Sequence, residues 1–400
     1  MARNYRPVQA RRHAHPDGSW GMAIDVPYPQ MVAQNGLGFT RGQCALDQNG
    51  RVLRPYDLLG QAEIIAVGLD PILEAIGANV NQPVCVVAYY LDNGSINEEQ
   101  LRENLGRTLG GFDATSIVLI PLSHFYYDGM MIEIDFLFAE DVAEPVAPEN
   151  LRAPFSDAVL SGDLIFIGQI AVDPAPDDGD QLSGQLTAIR DRLEAVLDSA
   201  GGELDDIIKL NTYFTGNAFD WARMAEARSE WFEEFYPVIT DAGVSRLGTG
   251  NTTIAMDAIA VRRAAPNHWR REPIHLRGHG HWPIDLPHPQ AIRMDDLVIT
   301  GGQLAVSHNN TVTAPYVIDE QTHAVMDHLG RVLDAAGASF SDVIKATTYY
   351  RGGANADDLH DNLAIRSGYY SKPGPASTGV PVAGLAAAAA MISVEVMAIR

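Results

Sequence analysis

Two pairs of histidines in this chain have the spacing of metal ligands. His13 and His15 flank one alanine, and His279 and His281 flank one glycine. Because side chains two residues apart point to the same face of a strand, each pair could bind zinc or a similar ion. Two imidazoles are too few for a zinc site, and no adjacent cysteine or acidic motif completes the set. We therefore predict exposed or packed histidines rather than a metal centre.

Two other segments suggest chemistry by their residue types. Cys44 follows Gly42-Gln43, but no histidine stands at a spacing that would activate its thiol, which favours a buried apolar role. The segment Gly248-Thr249-Gly250-Asn251 resembles part of a phosphate-binding loop. It lacks the lysine and the following helix of such a loop, which favours a hairpin turn. Neither segment predicts a catalytic site.

The composition argues against several classes of partner. The 400 residues carry a net charge of −23, so the surface repels nucleic-acid phosphates and anionic lipids. There are two cysteines, no secretory apolar segment follows the N-terminal arginines, and the longest apolar run, at 385–392, is too short to span a bilayer. We expect a cytoplasmic protein with no nucleic-acid or membrane partner, no cofactor and a small-molecule substrate.

One pattern occurs three times and defines the elements that must position any site. A glutamine is followed sixteen residues later by a glycine and twelve residues after that by a tyrosine. Apolar residues between the glutamine and the glycine follow one stripe of a helix in each copy. The three sets are Gln61, Gly77 and Tyr89; Gln185, Gly201 and Tyr213; and Gln321, Gly337 and Tyr349. Three copies indicate a fused homotrimer whose sites lie where copies meet, with domains over 1–145, 146–264 and 265–400.

Each copy has the same predicted order of elements. An apolar strand ends at a Gly-Gln pair, and a helix follows. In copies two and three this helix ends at a glycine, Gly201 or Gly337, that suits a left-handed conformation. A β-branched and aromatic strand comes next, at 207–214 in copy two, then a second helix at 219–232 and a last strand at 252–261. Linkers fall at 139–150 and 262–272. The order β-β-α-β-α-β predicts an α+β fold with helices packed on one face of a sheet.

Copy two also carries short motifs in a fixed order. They are Gly168-Gln169-Ile170, Leu197-Asp198-Ser199-Ala200-Gly201, Ile207-Ile208-Lys209, Tyr236-Pro237 and Ala258-Ile259-Ala260-Val261. In these motifs the copy resembles the Rid family (YjgF/YER057c/UK114). Copy three matches nearly as well, and copy one keeps the spacing. The resemblance implies three tandem Rid-like (chorismate-mutase-like) domains in an intrachain pseudotrimer, with sheets inside, helices outside and binding clefts between copies.

The resemblance also implies a chemistry. Rid proteins hydrolyse enamines and imines to a 2-keto acid and ammonia, using an arginine for the substrate carboxylate, a glutamate on the last strand and a tyrosine near the start. Here the arginine position has no arginine in any copy. The arginine position reads Thr115, Ile239 and Ser377; the glutamate position reads Glu133, Ala255 and Ser393; and the tyrosine position reads Tyr28, Phe155 and His288.

Copy one alone keeps both Tyr28 and Glu133. Arg41 stands immediately before Gly42 and could replace the missing carboxylate clamp, because a guanidinium pairs bidentately with a carboxylate. Glu133 could then act as a general base on water. The alternative is a structural ion pair between Arg41 and Glu133. Thr115, Ser377 and His288 would contribute to substrate binding at the same family positions.

A basic position on the second helix offers another anion clamp. Alignment places Arg102, Arg223 and His360 together there. The alternative is a solvated helix face.

These observations predict a cofactor-free hydrolase or deaminase acting on a small enamine, imine or related C–N compound at a cleft between copies. The main alternative is a binding or scaffold protein that has lost the family's arginine. Less favoured are a ring-opening amidohydrolase, whose Ser–Lys pairs are missing from copy one because it has no lysine, and a ribonuclease, which the acidic charge opposes. Further self-association of the pseudotrimer is left open by the sequence.

Overall fold

The computed structural model contains three seven-stranded sheets, one centred on each copy. The structure describes residues 9–22, 24–77, 83–94, 98–109, 114–141, 143–146, 155–173, 180–216, 218–248, 251–263, 270–276, 280 and 282–400. His279 and His281 of the predicted histidine pairs, and Thr249 and Gly250 of the predicted turn, lie outside these residues. No helix among the described residues is long and apolar enough to cross a membrane.

Copy one forms the first sheet, in the order β1-β2-β3-β7-β5-β6 with β4 paired to β7. Its strands are β1 Arg12–Ala14, β2 Met31–Gln34, β3 Leu37–Thr40, β4 Gln43–Cys44, β5 Cys85–Leu91, β6 Ser116–Leu122 and β7 Ile132–Ala139. Its helices are α1 Leu58–Ile76 and α2 Glu98–Thr108.

Copies two and three repeat this arrangement. Copy two has β8 Ala143–Val146, β9 Ala158–Ser161, β10 Leu164–Ala171, α3 Gln181–Ala200, β11 Ile207–Phe214, α4 Ala218–Ser229, β12 Val238–Gly243 and β13 Ile254–Val261. Copy three has β14 Arg271–Ile274, β15 Ala291–Met294, β16 Leu297–Thr300, β17 Gln303–Leu304, α5 Ile318–Ala335, β18 Val343–Tyr350, α6 Ala356–Ser367, β19 Ala376–Pro381, β20 Gly384–Leu385 and β21 Ile392–Ile399. Strand β20 completes the sheet of copy two by pairing with β12.

The predicted α+β class and the three tandem copies are confirmed. The closing glycines Gly77, Gly201 and Gly337 have left-handed φ values of 60°, 81° and 74°. Each copy has more strands than the four of the predicted order. Among the additional strands, β6, β12 and β19 run parallel to β5, β11 and β18, respectively. The pattern missed them because these three segments share no residue motif with one another.

The repeated glutamine is explained by its hydrogen bonds. The side-chain Nε2 of Gln61 donates to the Gly129 carbonyl at 2.8 Å, and its Oε1 accepts from the backbone amide of Met131 at 2.8 Å. In copy three Gln321 makes the matching bonds to Ala389 and Met391. The side chain thus ties the start of the first helix to the approach of the last strand, which is a structural role.

The three sheets pack against one another and the helices lie outside them. One apolar cluster contains matching residues from every sheet, among them Phe39, Phe166 and Ile299. Two buried ion pairs also join the sheets. Lys209 Nζ lies 2.6 Å from Glu395 Oε2, and Lys345 Nζ lies 2.9 Å from Asp135 Oδ2. The chain is therefore an intrachain pseudotrimer.

Gly301 and Gly302 close the seam between copies two and three through backbone contact. The Gly302 amide donates to the Ile239 carbonyl oxygen at 2.9 Å, and a β-carbon on Gly301 would lie 2.5 Å from that oxygen. Gly301→Ala forces the two copies apart, so we expect it to lower the free energy of unfolding by about 1–3 kcal/mol. Urea unfolding followed by tryptophan fluorescence measures the change.

Gly68→Ala is the matched control for this substitution. Gly68 lies inside α1, and a β-carbon there would meet no atom within 4 Å. Alanine should raise stability by about 0.5–1 kcal/mol, because glycine is costly within a helix. An unchanged urea midpoint for Gly301→Ala would contradict the close contact at the seam.

Candidate functional site

A pocket with a volume of about 60 Å³ lies at the seam between copies one and three. Four predicted site residues line it: Tyr28, Arg41, Glu133 and Ser377. Tyr28 precedes β2, Arg41 connects β3 to β4, Glu133 is the second residue of β7, and Ser377 is the second residue of β19. Copy three is therefore the neighbour that completes the cleft of copy one.

Arg41 is a buried cation with no acidic partner. Its side chain is buried, its Nη1 donates to the Tyr28 carbonyl at 3.2 Å, and its Cζ lies 3.7 Å from the centre of the Trp20 ring. Among the described residues no carboxylate oxygen lies within 4 Å of the guanidinium, so the alternative of an ion pair with Glu133 is not formed. Burial lowers the pKa of Arg41 to about 10. The guanidinium is thus available to an anion in the pocket.

Glu133 lies on the opposite strand, paired with Cys44 across the sheet. A β-carbon on Gly42 would lie 1.7 Å from Glu133 Oε1, so glycine at that position makes room for the carboxyl group. Burial, with a further contribution from the nearby Asp135 charge, raises the pKa of Glu133 to about 8. The group is mainly a neutral acid at pH 7. In this form the carboxyl group can donate a proton to a ligand in the pocket, and the general-base role suggested by the sequence stays a prediction.

Cys44 and Tyr28 are two further ionisable groups in the pocket. Burial raises the pKa of the Cys44 thiol well above its ordinary value, which agrees with the predicted apolar role. Burial also raises the pKa of Tyr28. The Tyr28 hydroxyl accepts a hydrogen bond from Ser367 Oγ at 3.3 Å, and Ser377 also hydrogen-bonds to it. Both groups are therefore neutral donors near pH 7.

A second buried arginine lies behind the pocket wall. Arg366 on α6 is 2% exposed and donates to Asn362 and Thr348, and its Nη2 has no hydrogen-bond partner in the described structure. In copy two the matching Arg228 is paired with Asp241, but copy three has Gly379 at that register position. Gly379 lines the pocket. The wall is consequently cationic in a chain that is acidic as a whole.

Two aromatic residues of the pocket were missed by the sequence reasoning. Trp20 packs on Arg41, and Tyr127 lines the pocket while its hydroxyl lies 2.8 Å from His360 Nε2. The predicted site residue His360 therefore contacts the pocket indirectly, through the lining residue Tyr127. Trp20 has a counterpart, Trp282, in the matching arm of copy three. This repeated tryptophan was the sequence signal that could have identified Trp20 as a site residue.

The structure does not bring Arg102, Arg223, Thr115 or His288 to this pocket. Arg102 lies on α2, and Arg223 forms a half-exposed ion pair with Asp180 at 3.0 Å. Thr115 donates to the Pro83 carbonyl in copy one. His288 lies in the seam between copies two and three, against Ser229 Oγ and the Pro237 carbonyl. These residues belong to other seams or to the surface, because each cleft joins a different pair of copies.

The two other seams differ from this one in the described structure, and neither has an acid at the glutamate position. Between copies one and two, the Gln169 side chain donates to the Leu119 carbonyl at 2.8 Å and accepts from the Leu119 amide, so the side chain is bonded to the neighbouring copy. Between copies two and three, Gly302 and Ile239 are in backbone contact. The residues at the glutamate position are Ala255 and Ser393. The three clefts have diverged.

The fold and this seam pocket define a protein in which three related α+β domains have been joined in one chain. The sequence profile of the family described as Endoribonuclease L-PSP matches residues 146–262 and 285–400, which is more than half of the chain. The chain belongs to this family, whose members include the Rid proteins that the repeated motifs resemble.

Several relatives match a single copy. A RutC family protein of Pyrococcus abyssi is 32% identical over 133 residues, covering 32% of this chain and 97% of the relative. Reactive Intermediate Deaminase A, chloroplastic, of Arabidopsis thaliana is 30% identical over 99 residues, covering 25% of this chain and 51% of that protein. A solved chorismatase structure covers 79% of this chain and 93% of its own, at a TM-score of 0.55 and 12% identity. That last likeness concerns the fold alone, and it extends well beyond one copy.

Proposed function

We propose that the seam pocket hydrolyses a small anionic enamine or imine to a carbonyl compound and ammonia. The observation that carries this proposal is the pairing, in one pocket, of the buried Arg41 guanidinium, which has no carboxylate partner among the described residues, with the neutral acid of Glu133. Relatives described as reactive intermediate and 2-iminobutanoate/2-iminopropanoate deaminases support the same chemistry.

The reaction has three steps. Arg41 binds the substrate carboxylate, and the Glu133 carboxylic acid donates its proton to the β-carbon of the enamine, which becomes an iminium ion. Water then attacks the iminium carbon and gives its proton to the Glu133 carboxylate, forming a carbinolamine. The C–N bond breaks as a proton moves from the hydroxyl to nitrogen, so ammonia leaves and the carbonyl forms. An imine substrate enters at the second step after protonation on nitrogen.

The test uses a 2-imino acid made in situ from an amino acid by an amino-acid oxidase, with semicarbazide as a competing trap. Hydrolysis by the protein lowers the yield of semicarbazone. Arg41→Lys keeps the charge but loses the bidentate geometry, so we expect KM to rise about 10- to 100-fold with a smaller change in kcat. Arg190→Lys, on the exposed face of α3, is the control and should leave both constants unchanged.

Two results would separate the alternatives. Binding of the substrate analogue without any hydrolysis would favour the non-catalytic binding protein. Equal KM values for the wild type and Arg41→Lys would remove Arg41 from the site.

A second candidate substrate rests on the same acid. An enol ether has a nucleophilic β-carbon like that of an enamine, and protonation there followed by water attack releases an alcohol. The buried Arg41, and Arg366 with its unpartnered Nη2 in the described structure, favour an anionic enol ether as this alternative. The solved chorismatase, which shares the fold over 79% of this chain, suggests one such compound to assay. Chorismate should therefore be assayed beside the imino acid.

The activity should depend on pH through Glu133. Its pKa is raised to about 8, so the acid form that starts the reaction dominates below pH 8 and is lost above it. We expect log kcat/KM to fall with a slope of −1 as pH rises through about 8. Stopped-time assays from pH 6 to pH 9.5 give the profile. A flat profile over this range would contradict the role of the acid.

A further inference from the structure

A cavity with a volume of about 100 Å³ lies where the three sheets meet. The repeated tyrosines Tyr89, Tyr213 and Tyr349 line it, together with one carboxylate from each copy. These carboxylates are Asp135, Asp257 and Glu395. None of these groups belongs to the proposed catalytic pocket.

Two of the carboxylates are paired with a lysine from the preceding copy in the ring. Lys209 of copy two reaches Glu395 of copy three at 2.6 Å, and Lys345 of copy three reaches Asp135 of copy one at 2.9 Å. Each lysine stands four residues before its tyrosine. By the same geometry, copy one should supply the partner of Asp257 in copy two.

Copy one has a cysteine at that position. Cys85 stands four residues before Tyr89, on the first residue of β5, and it lines the cavity beside Asp257. Burial raises the pKa of the Cys85 thiol to about 12, so it is neutral and supplies no positive charge. The cavity thus holds three carboxyl groups but two ammonium groups.

The consequence is visible in the hydrogen bonds of Asp257. Its Oδ1 accepts from Asn211 Nδ2 at 2.9 Å, but its Oδ2 is buried and has no hydrogen-bond partner in the described structure. The neighbouring Asn211 Oδ1 is also buried and unpartnered. Asp257 is 8% exposed. Burial raises the pKa of Asp257 to about 6, although Asn211, the Tyr213 hydroxyl and the charge of Lys209 favour its ionised form. The group is therefore ionised at neutral pH, and among the described residues no cation forms an ion pair with it.

We propose that a small monovalent cation, ammonium in particular, binds in the central cavity between Asp257 Oδ2 and Asn211 Oδ1. An ammonium ion carries the same N–H donors as the lysine head groups in the two other seams, and it would satisfy both orphan oxygens. A divalent ion needs about six oxygen ligands, whereas the described residues contain no group of three or more metal-ligating His, Cys, Asp or Glu side chains.

The test compares the melting temperature in NH4Cl with that in tetramethylammonium chloride at equal ionic strength and pH 7.5. Tetramethylammonium has no N–H donor and is too large for the site. We expect NH4Cl to raise Tm of the wild type by about 2–5 °C relative to tetramethylammonium at saturating concentration. The melting temperature in KCl at the same ionic strength distinguishes ammonium from other small cations. A response to KCl without a response to NH4Cl would overturn the choice of ammonium.

Three variants assign the response to this site. Asp257→Asn removes the charge and should abolish the difference, and Cys85→Lys supplies the third ammonium group and should abolish it too. Cys85→Ser keeps a small neutral side chain and should respond like the wild type. A direct readout is the 1H–15N signal of protein-bound 15N-ammonium, expected for the wild type and lost in Asp257→Asn.

Equal melting temperatures in NH4Cl and tetramethylammonium chloride would overturn the proposal, as would a full response in Asp257→Asn. Because the readout is stability and the variants lie outside the seam pocket, either result leaves the proposed hydrolase activity to be judged by its own assay.

Discussion

Replacing Glu133 with glutamine should lower kcat/KM for the imino acid or enamine by about 10²- to 10⁴-fold, the range over which a positioned acid or base contributes to catalysis. Glutamine has nearly the same shape as the neutral acid but has no proton to transfer to carbon and cannot accept one from water. The loss should appear mainly in kcat, because Arg41 remains to bind the carboxylate. Steady-state kinetics of the purified variant measure it.

Two further measurements distinguish catalysis from structure. The fall of activity above pH 8 should be missing from any residual activity of Glu133→Gln, and Glu133→Asp should recover part of the lost rate. Tm near pH 7 should not fall in Glu133→Gln, because an uncharged amide replaces a group that is mainly uncharged there. Full activity in Glu133→Gln would exclude the proton-transfer role.

The sequence predicted the fold well where three copies repeat one signal. The strand at 207–214 and the closing glycines are found as predicted, since β-branched runs and left-handed glycines depend on local physics. The second helix ends at Ser229 instead of residue 232, and the last strand of copy two begins at Ile254 instead of 252. The additional strands β6, β12 and β19 were not predicted, because parallel pairing to a distant strand leaves little local pattern.

The seam pocket was predictable only in part. Tyr28, Arg41 and Glu133 were grouped by their positions in copy one, and the structure places them together with Ser377. The choice of copy three as the neighbour depends on how the sheets close around the cavity, which no local pattern encodes. For the same reason, aligning family positions between copies could not tell which of Thr115, His288 and Ser377 would face copy one.

The protonation state of Glu133 also needed the structure. A sequence identifies a carboxylic acid but not its pKa, which depends on the burial of Glu133 and on the nearby Asp135. The contact between Gly42 and the Glu133 carboxyl group is similar: a glycine in a Gly-Gln pair occurs in all three copies, but only here does its missing side chain leave room for an acid.

The second large effect that we expect is on stability, at Asp241 in copy two. Its carboxylate accepts two hydrogen bonds from the Arg228 guanidinium, at 2.7 and 3.1 Å, and one from Trp221 Nε1 at 2.8 Å. Both members of the ion pair are 0% exposed. Asp241→Ala leaves a buried guanidinium without its counter-ion, so we expect the free energy of unfolding to fall by about 3–5 kcal/mol in urea titrations.

Two control variants test whether the uncompensated charge causes this loss of stability. One removes both charges of the buried pair, and the other breaks an exposed ion pair. Arg228→Met combined with Asp241→Leu removes both charges and should cost much less than Asp241→Ala alone, because the penalty comes mainly from the uncompensated charge. Glu194→Ala breaks the half-exposed pair with Arg190 on α3 and should cost under about 0.5 kcal/mol. If Asp241→Ala lowers the free energy of unfolding as little as Glu194→Ala does, the buried Arg228 charge does not depend on the Asp241 carboxylate. Copy three shows that the fold accommodates a buried arginine without a carboxylate at this register position, because Arg366 lies opposite Gly379.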